Sequence, residues 1–347
     1  MSHHFLPKAA LGAMLLFSGC ILAWEAYIRS TDFDLSYDDG GPLWTHYRDR
    51  IYKPSDQSTI FIGSSRIKFD LDIPTWEGIT GDDAVQLACV GSTPLPILYD
   101  LADDPQFKGK LIIDVTEGLF FSTNPGNAER PNVALKYRKD ITPAQRASFY
   151  LNKPLESTFV FLDKDHYSTN AMLEALEIPS RPGVRMGPIF ARDFGLVKFS
   201  RQEYLAPPFL ADTHQMHTQT RIWAMFGAMN KTPPITGTSL DSILQTIKTA
   251  TDKIQSRGGK IVFVRTPSSG KFLEGELKRF PKDQYWDRIL AVTGCKGIYF
   301  LDYPQLTGYV CPEESHLKPT DAVDYTQKLI DLLKSECGWT FPGPGTI

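Results

Sequence analysis

The sequence predicts an α/β protein whose mostly parallel sheet is covered on both faces by helices. Two observations lead there, in a chain of ordinary globular composition. Several short runs are near-continuously apolar, with no alternation of a half-solvated strand. Segments of helical periodicity alternate with those runs. The composition, 42% hydrophobic and 22% charged over 347 residues, is that of ordinary globular material.

The first element is an uncharged run, "AALGAMLLFSGCILAW", from Ala9 to Trp24, bounded by Lys8 and Glu25. Extended through Ile28, it approaches the roughly 20 residues that span a bilayer. Residues 1–28 therefore read as a cytoplasmic tail and membrane anchor, with the large domain in the periplasm or extracellular space. A lipoprotein reading competes, because "FSGC" at 17–20 is similar to a cleavage box with Cys20 as the lipidated residue. Phe17 is unusual in such a box, however, and apolar sequence continues past the cysteine. A cleaved signal peptide would need a small-x-small site that "LAWEAY" supplies poorly. The uncleaved anchor is the preferred reading; Lys8 and Arg29 determine its orientation only weakly.

Residues 29–57, rich in Asp, Tyr and Gly, read as a linker. The alternation then begins with a strand in "STIFIGSS", an acidic amphipathic segment and a second strand in "AVQLACVGST". A helix, "LPILYDLAD", and a third strand, "GKLIIDVTEG", follow. Residues 123–237 interrupt this order with prolines, glycines and aromatics ("NPGNAERPN", "SRPGVRMGP", "LAPPF") and no strong strand run. A structureless loop of that length is out of place in a compact domain. The stretch reads as an insertion, partly helical ("PAQRASFYL", "STNAMLEALE", "QTRIWAMFGAM"), capping the carboxyl edge of the sheet as a lid or a packing subdomain. Beyond it, Leu240, Ile243, Leu244, Ile247, Ala250 and Ile254 repeat at helical spacing. Strands "KIVFVRTP" and "GIYFLDYP" come next, and a closing helix starts at Pro319. The α/β domain is thus 58–122 together with 238–347.

Several function classes find no support. The formal net charge of −3 gives no electrostatic case for nucleic acid. Walker-type, GxGxxG, CxxC and HExxH patterns are missing, and no metal or organic cofactor is implied. Of the five cysteines, Cys20 lies in the anchor and Cys89 in an apolar stretch that suits a buried thiol. A disulfide among Cys295, Cys311 and Cys337 fits an oxidising compartment, with its pairing open.

The candidate chemistry starts at "FIGSSRIKFD", residues 61–70, where an apolar strand breaks off at Gly63-Ser64-Ser65-Arg66. A serine there stands at the carboxyl edge of a parallel sheet, where α/β proteins place ligands. A serine needs a base, and the base needs an orienter. Of the seven histidines, His3 and His4 precede the anchor and His46 lies in the linker. His166, His214 and His217 fall in the insertion. His316 stands apart in "CPEESHLKPTDA", between the last strand and the last helix, with Glu313 three residues earlier. Ser65 and His316 each follow a strand of one sheet, so the two can meet.

Gly63-Ser64-Ser65 followed by Glu313-x-x-His316 resembles the first and last blocks of the SGNH (GDSL-type) hydrolase superfamily, over roughly residues 57–120 and 238–335. The resemblance implies a flavodoxin-like three-layer α/β/α sandwich, with Ser65 as nucleophile, His316 as base and Glu313 as orienting carboxylate. It also implies an oxyanion hole from the backbone N–H groups of Ser65 and of Gly91, in "CVGST". "SHLKPTDAVDYTQKL" is similar to the tail of anchored, exported members linked to surface-polysaccharide acylation. Two positions depart from the family pattern. Ser64 replaces an aspartate, and Glu117, in "DVTEG", stands where an oxyanion-binding asparagine is expected. An ionised carboxylate there would oppose the developing negative charge.

Ser64, Arg66, Glu117 and Arg265 are further candidates for lining the site, Arg265 as a ligand for an anion or a sugar. Trp223, Tyr285 and Trp286 would suit sugar stacking or core packing. The expected function is acyl-ester hydrolysis or O-acyl transfer on a cell-surface carbohydrate, with the membrane as a further partner. The competing expectation is a non-catalytic, membrane-anchored assembly or binding protein.

Overall fold

The apolar runs do form strands. The computed structural model describes residues 5–31, 34–52, 57–174, 176, 191 and 194–345. Its strands are β1 (Ser58–Ile62), β2 (Asp83–Gln86), β3 (Lys110–Asp114), β4 (Gly195–Val197), β5 (Glu203–Leu205), β6 (Lys260–Arg265) and β7 (Lys296–Tyr299). Five of them make one sheet in the order β2-β1-β3-β6-β7, with every neighbouring pair parallel. The order reverses between β1 and β3, because the chain leaves β1 for one side and returns through β3 on the other. Such a switch opens a crevice at the carboxyl ends of the two strands.

Every residue of β1 and β3 is buried, which explains why their sequences read as continuous apolar runs. Phe61, Ile112, Val262, Val264 and Ile298 pack with Trp76 and with Tyr325, Leu329 and Leu333 of the helix Pro319–Ser335. The last three lie four residues apart and form one stripe of that helix. Burying each such side chain stabilises the fold by about 1.5–3 kcal/mol. The alternate residues Ile60, Ile62, Leu111, Ile113, Ile261 and Phe263 are buried as well. Helix Gly237–Ser256, whose Leu240, Leu244, Ile247 and Ile254 are buried, packs on β6 and on the helix Leu95–Asp103.

Four findings correct the reading from sequence. The stretch read as a linker contains the helix Gly41–Arg48, in which Leu43, Trp44 and Tyr47 are buried. The Trp44 indole donates to the Leu87 carbonyl at 3.0 Å, so the aromatic residues outweigh the surrounding polar ones. The insertion is not one body. The described residues of 142–184 group with those of 1–38 in one compact unit, whereas the rest group with the sheet. Strands β4 and β5 form an antiparallel hairpin inside it, too short to leave an apolar run, and "SRPGVRMGP" lies outside the described residues. Finally, all five cysteines are free, with Cys295 and Cys311 buried separately, so no disulfide joins the C-terminal thiols.

The N-terminal helix runs from Phe5 to Arg29 without a break at Cys20. Its segment Pro7–Arg29 is long and apolar enough to cross a membrane.

Gly63 marks a tight point at the carboxyl edge of the sheet. A Cβ built there would lie 2.6 Å from Asp114 Cβ and 2.8 Å from Ile67 Cγ2. Gly63→Ala should therefore lower stability by about 1–3 kcal/mol, as overpacking does. Thermal unfolding of the full chain in detergent micelles reads this as a drop in Tm.

Candidate active site

Close approach at Gly63 lets β1 turn at once into the short helix Ser65–Asp70. Ser64 is the extended N-cap residue of that helix. Its buried hydroxyl lies 2.7 Å from the Thr116 hydroxyl and 3.4 Å from Asp114 Oδ2. Asp114 also accepts from Thr116 at 3.1 Å and from Thr266 at 2.9 Å. Ser64 is thereby committed to the interior. Ser65, one residue on, is half-buried and faces the other way.

Ser65 Oγ lies 2.9 Å from His316 Nε2, and His316 Nδ1 lies 2.9 Å from Glu313 Oε1. Glu313 Oε1 also accepts the His316 backbone N–H at 2.6 Å, and Oε2 accepts the Trp223 indole N–H. With the carboxylate as acceptor, Nδ1 carries the ring proton and Nε2 offers its lone pair to the Ser65 hydroxyl. His316 is 2% exposed and Glu313 0%, so only the serine end of this chain meets solvent.

The loop that carries His316 is held from several sides. Cys311 N–H donates to Ser269 Oγ at 3.0 Å, and Glu314 takes a left-handed conformation with φ 73°. That conformation is unfavourable for a side-chain-bearing residue and persists where the surroundings enforce it. Leu317 N–H donates to Asp70 Oδ1 at 2.9 Å. Asp70 ends the same short helix that Ser65 begins, so one element fixes both the serine and the backbone beside the histidine. Burial pushes the Asp70 carboxyl well above the usual carboxylate range. The imidazole is walled by Phe69, with ring centroids 4.3 Å apart, and by Phe194 and Trp223 at 5.7 and 6.3 Å.

Gly91 follows β2 with φ +61°, and space is open where a side chain would stand. Among the described residues, neither the Gly91 nor the Ser65 backbone N–H has a hydrogen-bond partner. The strand leading to Gly91 is braced by Arg201, whose guanidinium donates to the carbonyls of Gln86 (2.6 Å) and Ala88 (3.1 Å). Asp39 holds Arg201 at 2.5 Å and Lys68 at 2.6 Å. Burial works against the Asp39 charge, but the two cations hold its carboxyl below the usual range.

The remaining candidates come together away from the role expected of them. Arg265 Nε donates to both carboxylate oxygens of Glu117 at 2.9 Å, and its Nη2 donates to Glu276 at 2.6 Å. Arg66 Nη2 donates to the other Glu276 oxygen at 2.6 Å. Glu117, Arg265 and Arg66 are buried, so Arg265 is taken up by carboxylates and is not offered to an anion or a sugar. Burial opposes the Arg265 charge, yet Glu117 and Glu276 more than offset it and raise its pKa. Burial likewise works against Glu276, whose carboxyl the two arginines hold below its usual range. Glu117 is pushed upward by burial against the pull of Arg265. Tyr285 and Trp286 are core residues at 1% and 2% exposure and cannot stack a sugar; Trp223 alone of the three reaches the site.

No protein-family model matches the chain, and no curated protein matches it significantly. Among the described residues, no group of three His, Cys, Asp or Glu side chains could hold a metal ion. Asp70, Arg201, Phe69 and Phe194 escaped the sequence reading. Asp70 alone left a signal, an acid at the far end of the helix that the serine opens.

Asp70→Ala should strip the acceptor from the buried Leu317 N–H and lower stability by about 1–3 kcal/mol. Asp70→Asn keeps an acceptor oxygen and should lose less. Denaturant titration of the two variants measures the difference.

Proposed function

We propose that this chain is a serine-dependent acyl-ester hydrolase or O-acyltransferase of the SGNH type, on a flavodoxin-like three-layer α/β/α sandwich. In this reading it is anchored in a membrane and acts on a cell-surface carbohydrate from the periplasmic or extracellular side. The observation that carries the reading is the continuous chain Ser65–His316–Glu313, with both links at 2.9 Å, at the carboxyl edge where the strand order reverses. The order β2-β1-β3-β6-β7 is also the 2-1-3-4-5 order of flavodoxin-like sheets. Carbohydrate as substrate rests on the resemblance of the C-terminal segment together with the apolar N-terminal helix.

The chemistry follows from the geometry. Ser65 Oγ attacks the acyl carbonyl carbon while His316 Nε2 takes the hydroxyl proton, and Glu313 stabilises the resulting imidazolium. The carbonyl oxygen becomes an oxyanion, faced by the backbone N–H groups of Ser65 and Gly91. As the tetrahedral intermediate collapses, the ester C–O bond breaks and the alkoxide leaves with the proton from Nε2. The Ser65 acyl ester is then opened by water in hydrolysis, or by an acceptor hydroxyl in transfer, with His316 again carrying the proton. Glu117 does not oppose this chemistry with a free charge, because its carboxylate is paired with Arg265.

A second reading keeps the fold without catalysis, as a membrane-anchored assembly or binding protein. Glu117 favours it, since the asparagine donor expected at that position is missing.

Hydrolysis of an aryl acetate by the full chain in micelles separates the two. Ser65→Ala should abolish turnover, on the scale of about a million-fold that loss of such a nucleophile has elsewhere. Ser64→Ala should leave most activity, because its hydroxyl serves Asp114 and Thr116. Glu313→Gln should retain roughly tenfold to a hundredfold more activity than Ser65→Ala, since it disturbs the base without removing it. Equal hydrolysis by native protein and Ser65→Ala would sink the proposal.

A further inference from the structure

The carboxyl end of the N-terminal helix is bonded to a segment far along the chain. Glu25, which is 6% exposed, accepts the backbone N–H groups of Val160 (3.0 Å) and Phe161 (3.1 Å) and the Arg29 guanidinium at 2.8 Å. Arg29 also donates to the Thr158 carbonyl, and the Trp24 ring meets Tyr167 edge-on at 6.3 Å. These contacts lie within the last turns of Pro7–Arg29, about 8 Å from its end at 1.5 Å rise per residue. Trp24 and Tyr27, 45% and 61% exposed with rings stacked at 5.7 Å, occupy the same level. Exposed Trp and Tyr at the end of an apolar helix mark the headgroup zone of a bilayer.

Two helices flank the bonded segment. Pro143–Thr158 is secured by a capping box between Thr142 and Gln145, yet none of its side chains is buried. It exposes Tyr150 (51%), Leu151 (72%) and Leu155 (47%). Helix Thr169–Glu174 exposes Met172 (50%) and Leu173 (56%), and Leu176 beyond it is 63% exposed. A sixteen-residue helix with no fully buried side chain gains little stability from packing. An apolar stripe on such a helix needs a partner surface.

We propose that residues 142–174, with Leu176, form a monotopic platform whose exposed apolar side chains enter the headgroup and acyl boundary of the bilayer that holds the N-terminal helix. The inference rests on the reading of Pro7–Arg29 as a membrane span. The occupant is lipid because the platform is fixed, through Glu25 and Arg29, at the depth where Trp24 and Tyr27 place the boundary. Amphipathic helices lie in that plane with their apolar faces about 5–10 Å deep. Arg146 and Lys153 on the same helix suit the polar side of such a placement.

The test uses the full chain in phosphatidylcholine vesicles containing a phosphatidylcholine with an acyl-chain diazirine. After irradiation, lipid adducts are located by peptide mass spectrometry. The proposal expects adducts on 143–158, 169–174 and Leu176 as well as on 7–29. It also expects Leu151→Glu/Leu155→Glu to lose the adducts on 143–158 while keeping those on 7–29. Adducts confined to 7–29 would overturn the platform and leave the span intact, whereas adducts on neither would overturn both. Adducts on 143–158 that survive the double substitution would also overturn it, as would cross-links between two copies of the chain at Leu151 in place of lipid.

Discussion

Asp114 and Gly63 approach so closely that no side chain fits between them, and the geometry of the candidate site descends from that contact. A methyl group at residue 63 would stand 2.6 Å from Asp114 Cβ. Because it is missing, β1 can turn directly into a helix at the crevice between β1 and β3. Ser64 is then drawn inward to Thr116 and Asp114, which leaves Ser65 as the serine that meets His316. The same contact gives a physical reason for the serine at 64. An aspartate there would set a second carboxylate against Asp114 in a buried place, an arrangement in which one of the two resists ionisation.

Around this point, buried charge is arranged in compensating groups. Arg66 and Arg265 face Glu117 and Glu276, and Arg201 and Lys68 face Asp39. Ion pairs of this kind add little net stability over an apolar core, but breaking one leaves an uncompensated buried charge worth several kcal/mol. Their visible effect is positional. Arg66 follows the serine in sequence and is held by Glu276, while Arg201 braces the end of β2 before Gly91. The catalytic reading therefore asks for a rigid edge, and each group contributes to one side of it.

Much of the sheet was legible in the sequence, for a definite reason. Strands buried on both faces leave continuous apolar runs, and Leu240 to Ile254 leave a helical stripe. The hairpin β4-β5 left no such trace, because three-residue strands are too short to show a period. Gly41–Arg48 was missed because Asp and Gly around it outweighed Trp44 and Tyr47. At the site, the serine, the histidine and the nearby glutamate were legible from chain order and local spacing. The pairing of Arg265 with Glu117 and the brace from Arg201 were not, since those contacts join residues more than a hundred positions apart. Trp223 was visible as an aromatic residue, but its bond to Glu313 depends on how the insertion folds back.

The central claim is that Ser65, and no other serine, is activated by His316. Covalent labelling tests it without knowledge of the substrate. The full chain in micelles is treated with a fluorophosphonate, digested, and the modified peptide is sequenced by mass spectrometry. A single phosphonyl adduct on Ser65, lost in His316→Ala, is the predicted result. An unlabelled protein, or an adduct on Ser64 or elsewhere that survives His316→Ala, would contradict the account.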